Sequence, residues 1–162
     1  MCEARLRSAE AEPAPGNADD EHGLRGRWVQ PPQLRRVLHA PRTQLEQRGS
    51  EVTVDQLREV WKPDSDVDNW NEIDSSFPDV PLKLYGADEG SGTFGYFTFV
   101  INGERGASRT DYSATDDDND TVEGVADDKG ALGYFGFSYY QANRDLLNAL
   151  EVDGGQGCVA PS

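Results

Sequence analysis

The chain has 162 residues, a formal net charge of −15 and a pI near 4.3, which is enough length for one domain with a real core. So large an acid excess excludes a nucleic-acid or anionic-membrane surface, because both need clustered Lys and Arg to neutralise phosphates. No apolar run approaches the roughly 18 residues of a membrane span, and the chain opens on no charged-then-apolar leader, so neither a span nor a signal peptide is read.

The acid excess is unevenly placed. Residues 1–50 hold eight Arg, no Lys and seven acids, while residues 51–162 hold seven basic residues against 23 acids. The first 50 also carry five of the nine prolines and, in Trp28, one of the 15 aromatics. Such a segment buries little, so 1–50 is expected to be poorly ordered or non-native, as a wrong start or frame would give, and 52–162 to be the domain. The carboxylates of the second part suggest adaptation to high salt, where screening makes self-repulsion tolerable. Two cysteines, Cys2 and Cys158, are too few for a disulfide framework.

In chain order, Thr53 caps a helix from Val54 to Trp61, with Val54, Leu57, Val60 and Trp61 at helical spacing. Pro63 stops it, and Asp64 to Pro81 reads as a turn-rich connection pinned by Trp70, Ile73 and Phe77. Leu82 to Tyr85 is an expected strand, followed by the turn GADEGSG and by TFGYFTFVI, Thr93 to Ile101, a buried helix in preference to a strand. Asn102 and Gly103 end that helix. Gly106 to Tyr112 is a loop carrying Arg109. Asp116, Asp118 and Asp120 have the first three spacings of an EF-hand loop. Thr121 stands where its glycine belongs and Asp127 where its glutamate belongs, so they read as helix-start acids of a helix from Asn119 to Ala126, with no metal. Ala131 to Phe137 is a buried strand, Tyr139 to Asp145 a helix, Leu146 to Val152 a last strand, and Asp153 to Gly157 a loop. Strands alternating with helices give an α/β class.

The stretch with chemistry is Gly90 to Thr93. Small residues let a backbone approach a ligand, Ser91 and Thr93 add hydroxyls, and the first N–H groups of a helix lack internal partners, which together suit phosphate, sulfate or carboxylate. Taken alone, the same residues favour a plain helix cap.

The strings LYGADEGSGTFGYFTFVINGE, GASRTDYSATDDDN, GALGYFGFSYY and CVAPS, in that order and spacing over residues 52–162, resemble the PstS family, the phosphate-binding subunits of phosphate ABC importers. The resemblance implies one α/β/α lobe of a class II periplasmic-binding-protein fold, incomplete, and mostly the second lobe. It also implies inorganic phosphate as ligand and an importer permease as partner, with the intact protein, a monomer, at the extracellular face of the membrane or in the periplasm.

Carried over residue by residue, Ser91, Gly92 and Thr93 match the family's Ser-Gly-Thr, and the anion reading then overtakes the cap. An arginine that some members place four residues ahead of that serine is Ala87 here, and Arg109 is the candidate replacement, set against a plain ion pair with neighbouring acids. The family's other cysteine, expected before the first helix, is absent at Gly49, Ser50 and Glu51, leaving Cys158 without it.

Three functional classes follow. The leading one is a non-enzymatic phosphate binder without cofactor. A truncated remnant or interaction fragment without ligand is the second. The third is a phosphatase-like enzyme, which is disfavoured because His22 and His39 lie in the first 50 residues and no Walker lysine follows the glycine turn.

Overall fold

A computed structural model describes residues 36–41, 51–155 and 157–159 of the chain. The elements run β1 (Arg36–Pro41), β2 (Glu51–Thr53), α1 (Val54–Trp61), α2 (Trp70–Ile73), β3 (Lys83–Ala87), α3 (Gly92–Asn102) and β4 (Ser113–Thr115). They continue with α4 (Asp118–Asp127), β5 (Ala131–Gly136), α5 (Phe137–Ala142), β6 (Leu147–Ala149), β7 (Glu151–Asp153) and β8 (Cys158–Val159). Five strands form one sheet in the order β4-β3-β5-β1-β6, and β2, β7 and β8 form a second in that order.

Strand β5 shows how the sequence dictates the layers. In ALGYFG every residue from Ala131 to Phe135 is buried, because the sheet is covered on both faces and no position is left for a polar side chain. Leu132 and Tyr134 enter a core with Leu57, Val60, Trp61, Phe94, Phe97 and Ile101, which belongs to the α1 and α3 side. Ala131 and Phe135 enter a second core with Val122, Val125 and Leu147, on the α4 side. The period of two thus divides one strand between two cores, and the result is an α/β/α sandwich. Gly133 lets α4 close on the sheet, since a Cβ there would stand 2.5 Å from Val125 Cγ2.

Strand β3 runs parallel to both neighbours, with Tyr85 opposite Ser113 in β4 and Gly133 in β5. Two crossovers through α3 and α4 therefore bring the carboxyl ends of β3, β4 and β5 to one edge. Helix α1 starts as expected: Gln56 N donates to Thr53 Oγ1 at 3.1 Å and Thr53 N to Gln56 Oε1 at 2.8 Å, a reciprocal cap. The connection to β3 is pinned by Trp70, whose Nε1 donates to Gly130 O at 2.9 Å and whose ring meets Phe77 edge-on at 5.8 Å. It also contains the short helix α2, capped by Asn69, which the turn-rich reading lacked.

Three further differences have physical causes. The helix after β5 is Phe137–Ala142, earlier and shorter than Tyr139 to Asp145, and the chain then turns through Leu146 N to Asn143 O. The expected strand Leu146 to Val152 is two strands in two sheets, β6 beside β1 and β7 between β2 and β8, divided at the buried Leu150. Within the first 50 residues, Arg36–Pro41 is a strand that pairs antiparallel with both β5 and β6. Residues 1–35 and 42–50, with Cys2, Trp28 and His22, lie outside the described residues, as does the side chain of Cys158. No described helix is long and apolar enough to cross a membrane.

Candidate functional site

Ala87 ends β3, and its peptide plane is held from both sides. Its carbonyl accepts from Tyr112 Oη at 2.8 Å and from Tyr134 Oη at 3.1 Å, while Asp88 N donates to Thr115 O in β4 at 3.0 Å. Because a peptide is planar, these bonds fix the direction in which the chain leaves the sheet. Tyr134 is itself immobilised. Its ring stacks on Phe97 at 3.8 Å, meets Trp61 edge-on at 5.0 Å and fills the space where Gly86 lacks a Cβ. Burial pushes its hydroxyl far above the ordinary tyrosine range, so it stays a neutral donor.

From that fixed point a tight turn follows, with Gly90 N donating to Asp88 Oδ1 at 3.0 Å and Ser91 N to Asp88 O at 3.1 Å. Ser91 is the cap of α3: its extended backbone (φ −80°, ψ 136°) turns Oγ onto Thr93 N at 3.1 Å. A hydroxyl that accepts one bond keeps its own hydrogen to donate. Gly92 is exposed, and a Cβ added there would meet nothing within 4 Å, so its backbone is open to approach. Among the described residues no side chain or carbonyl engages the Thr93 hydroxyl. One hydroxyl hydrogen, one backbone N–H and a second hydroxyl thus stand together at the positive end of an 11-residue helix, on the carboxyl edge of parallel strands. Gly103, at φ 82°, closes the far end of that helix as expected.

The same edge carries Asp88, Glu89, Asp116 and Asp117. Asp117 caps α4 through Asn119 N at 2.8 Å, and Thr115 Oγ1 donates to Asp120 at 3.3 Å. Asp117 at the cap and Asp118 and Asp120 in the first turn are the helix-start acids of α4, which occupies Asp118–Asp127, close to the expected Asn119 to Ala126. Among the described residues no cluster of acids, His or Cys could hold a metal ion.

Arg109 is placed apart from this edge. It is 7% exposed, and Nη1 donates to Val60 O at 3.1 Å and Val67 O at 2.8 Å. Nε and Nη2 grip Asp111 as a fork, at 2.6 and 2.8 Å. That grip raises the guanidinium's pKa and lowers the Asp111 carboxyl's. In this geometry Arg109 makes the ion pair with a neighbouring acid that stood as its alternative reading. It ties the end of α1, the connection after it and the 106–112 loop together, and so sets the position of Tyr112. Ala87, where some family members carry arginine, is 2% exposed and lies in the core.

A mixed sheet with helices on both faces and a helix N-terminus at its carboxyl edge makes this an α/β/α lobe with its candidate site at the strand ends. No protein-family model matches the chain. Protein SphX of Synechocystis sp. is 45% identical over 113 residues, 68% of this chain and 34% of that protein. The phosphate-binding protein PstS of Staphylococcus saprophyticus is 28% identical over 107 residues. Among solved structures, a possible phosphate binding protein from Planctomyces limnophilus superposes with a TM-score of 0.74 at 42% identity, covering 78% of this chain and 45% of that one. PstS from Borrelia burgdorferi, at 17% identity and a TM-score of 0.62, shares the fold. The chain belongs to the PstS family, and it spans about a third of the length of the curated relatives it matches.

Proposed function

We propose that this chain binds inorganic phosphate as part of the solute-binding component of an ABC phosphate importer. The observation that carries the reading is the Ser91, Gly92 and Thr93 donor set, held out from a pinned strand end in a chain whose relatives bear the name phosphate-binding protein. Recognition replaces the water around the anion with fixed donors, and no bond of the ligand is made or broken. Arg109 enters through the wall it holds together, by way of Asp111 and Tyr112. Residues 52–162 are proposed to be the greater part of the second lobe, with the opposite wall of the cleft supplied by a first lobe. An intact protein of this kind would present its ligand, as a monomer, to a membrane permease at the extracellular face or in the periplasm.

Equilibrium dialysis with labelled phosphate tests the reading: it predicts uptake of one phosphate per chain. No uptake would favour the second reading, a remnant without ligand. The net charge of −15 is proposed to reflect a high-salt setting, in which case the thermal midpoint rises steadily with KCl. A midpoint independent of salt would remove that part of the proposal.

A further inference from the structure

The anion site as described so far lacks a cation, since Ala87 is apolar and Arg109 is engaged elsewhere. The loop after α3 supplies one. Gly103 and Gly106, at φ 82° and 88°, reverse the chain, and Gly106 N donates to Thr98 Oγ1 at 2.8 Å. Asn102 Nδ2 closes the turn on Ala107 O at 2.6 Å. The loop is thereby folded back along its own helix, and Arg105 runs across α3 at Gly95. A Cβ at Gly95 would stand 2.6 Å from Arg105 Nη1 and 3.5 Å from Arg105 Cγ and Cζ, so the guanidinium occupies the groove that the glycine leaves.

Helix geometry puts that groove on the side of α3 that leads back to its first turn. Cα–Cβ bonds of a helix tilt toward its N-terminus, and a side chain covers the turn before its own Cα. The space over Gly95 therefore adjoins Ser91 and Gly92, which lie four and three residues earlier on the same face and about 4.5 to 6 Å along the axis. Gly95 N in turn donates to Ser91 O at 3.2 Å. Among the described residues no carboxylate lies within salt-bridge range of Arg105. An exposed guanidinium laid into a glycine groove, rather than onto one of the many acids of this chain, is a cation with its donors free.

We propose that Arg105 is the cationic contact of the anion site, reaching a phosphate oxygen held at Ser91, Gly92 and Thr93 from the groove at Gly95. The proposal rests on the phosphate reading of that site. It gives Gly95 a role as well, because Ala in its place fills the groove and pushes the guanidinium off the helix.

Phosphate titration calorimetry on the full chain and on Arg105→Gln, Arg105→Lys and Gly95→Ala variants tests this, with urea unfolding of each alongside. Arg105→Gln is expected to weaken phosphate binding about tenfold and Arg105→Lys less, as for a charge-assisted contact at a partly open site. Gly95→Ala is expected to weaken binding while stability holds or rises, since Ala favours a helix interior over Gly. A merely structural groove would link the two losses. Unchanged affinity in Arg105→Gln, with the unaltered chain binding phosphate, overturns the role of Arg105 alone. Failure of the unaltered chain to bind phosphate overturns the reading of the site and this proposal with it.

Discussion

Replacing Arg109 by Met keeps the apolar stem and removes the guanidinium, which makes it a clean test of what this residue does. The carbonyls of Val60 and Val67 then lose their donor, and Val60 is 0% exposed, so water cannot replace it there. A stranded buried acceptor costs about 1–3 kcal/mol. Asp111, whose side chain is 64% exposed, returns to water and adds little. The expected loss is about 3 kcal/mol, read by urea unfolding with the fluorescence of the buried Trp61 and Trp70. Phosphate affinity of the folded variant, measured well below the unfolding midpoint, should change by no more than about threefold, because no bond to the anion is removed. A variant of unchanged stability that no longer binds phosphate would refute this reasoning and return the guanidinium to the ligand.

Two other perturbations follow from the same framework. Gly86→Ala drives a Cβ to 2.3 Å from Tyr134 Cε1, and that ring is stacked on Phe97 with no room to retreat, so a loss of about 2–3 kcal/mol is expected in the same unfolding assay. A change below about 0.5 kcal/mol would mean that the strand end is not pinned as described. Asp111, chiefly through its bond from Arg109, and Asp74, through Ser76 N at 2.8 Å, have carboxyls below the ordinary range. Depressed carboxyls stabilise the folded state above the unfolded value of about 3.9, and that contribution disappears as pH falls through the lower folded values. The urea midpoint should therefore drop between pH 5 and 2, and Asp111→Asn should flatten the drop; an identical pH profile in that variant would exclude the pair as its source.

Much of the lobe was legible because local rules and tertiary packing agree. Thr53 announces α1, the run ALGYFGF announces a buried strand, and Asn102-Gly103 announces the end of α3. The donors at Ser91 to Thr93 were visible for the same reason, as hydroxyls and glycines at a helix start. The misplaced parts depend on distant partners. Leu146 to Val152 looks like one strand, and its division between two sheets at Leu150 depends on β1, β2 and β8, whose pairings no local pattern announces. Strand β1 lies in an Arg- and Pro-rich segment that composition alone argues against.

The arginines show the same limit. Sequence gives charge and order along the chain, and on that basis Arg109 in the loop after α3 stood equally as an anion contact or as an ion pair with neighbouring acids. The structure shows Arg109 donating to the carbonyls of Val60 and Val67, while Arg105, four residues earlier, lies in a groove visible only once Gly95 is placed beneath it.

The central claim is that phosphate is held by the start of α3, and isothermal titration of the chain against its Ser91→Ala/Thr93→Ala double variant tests it most directly, with circular dichroism to show that both are folded. The unaltered chain should take up one phosphate, and the double variant, with both hydroxyls gone, should show no measurable heat of binding. Phosphate bound by the double variant with unchanged affinity would contradict the assignment.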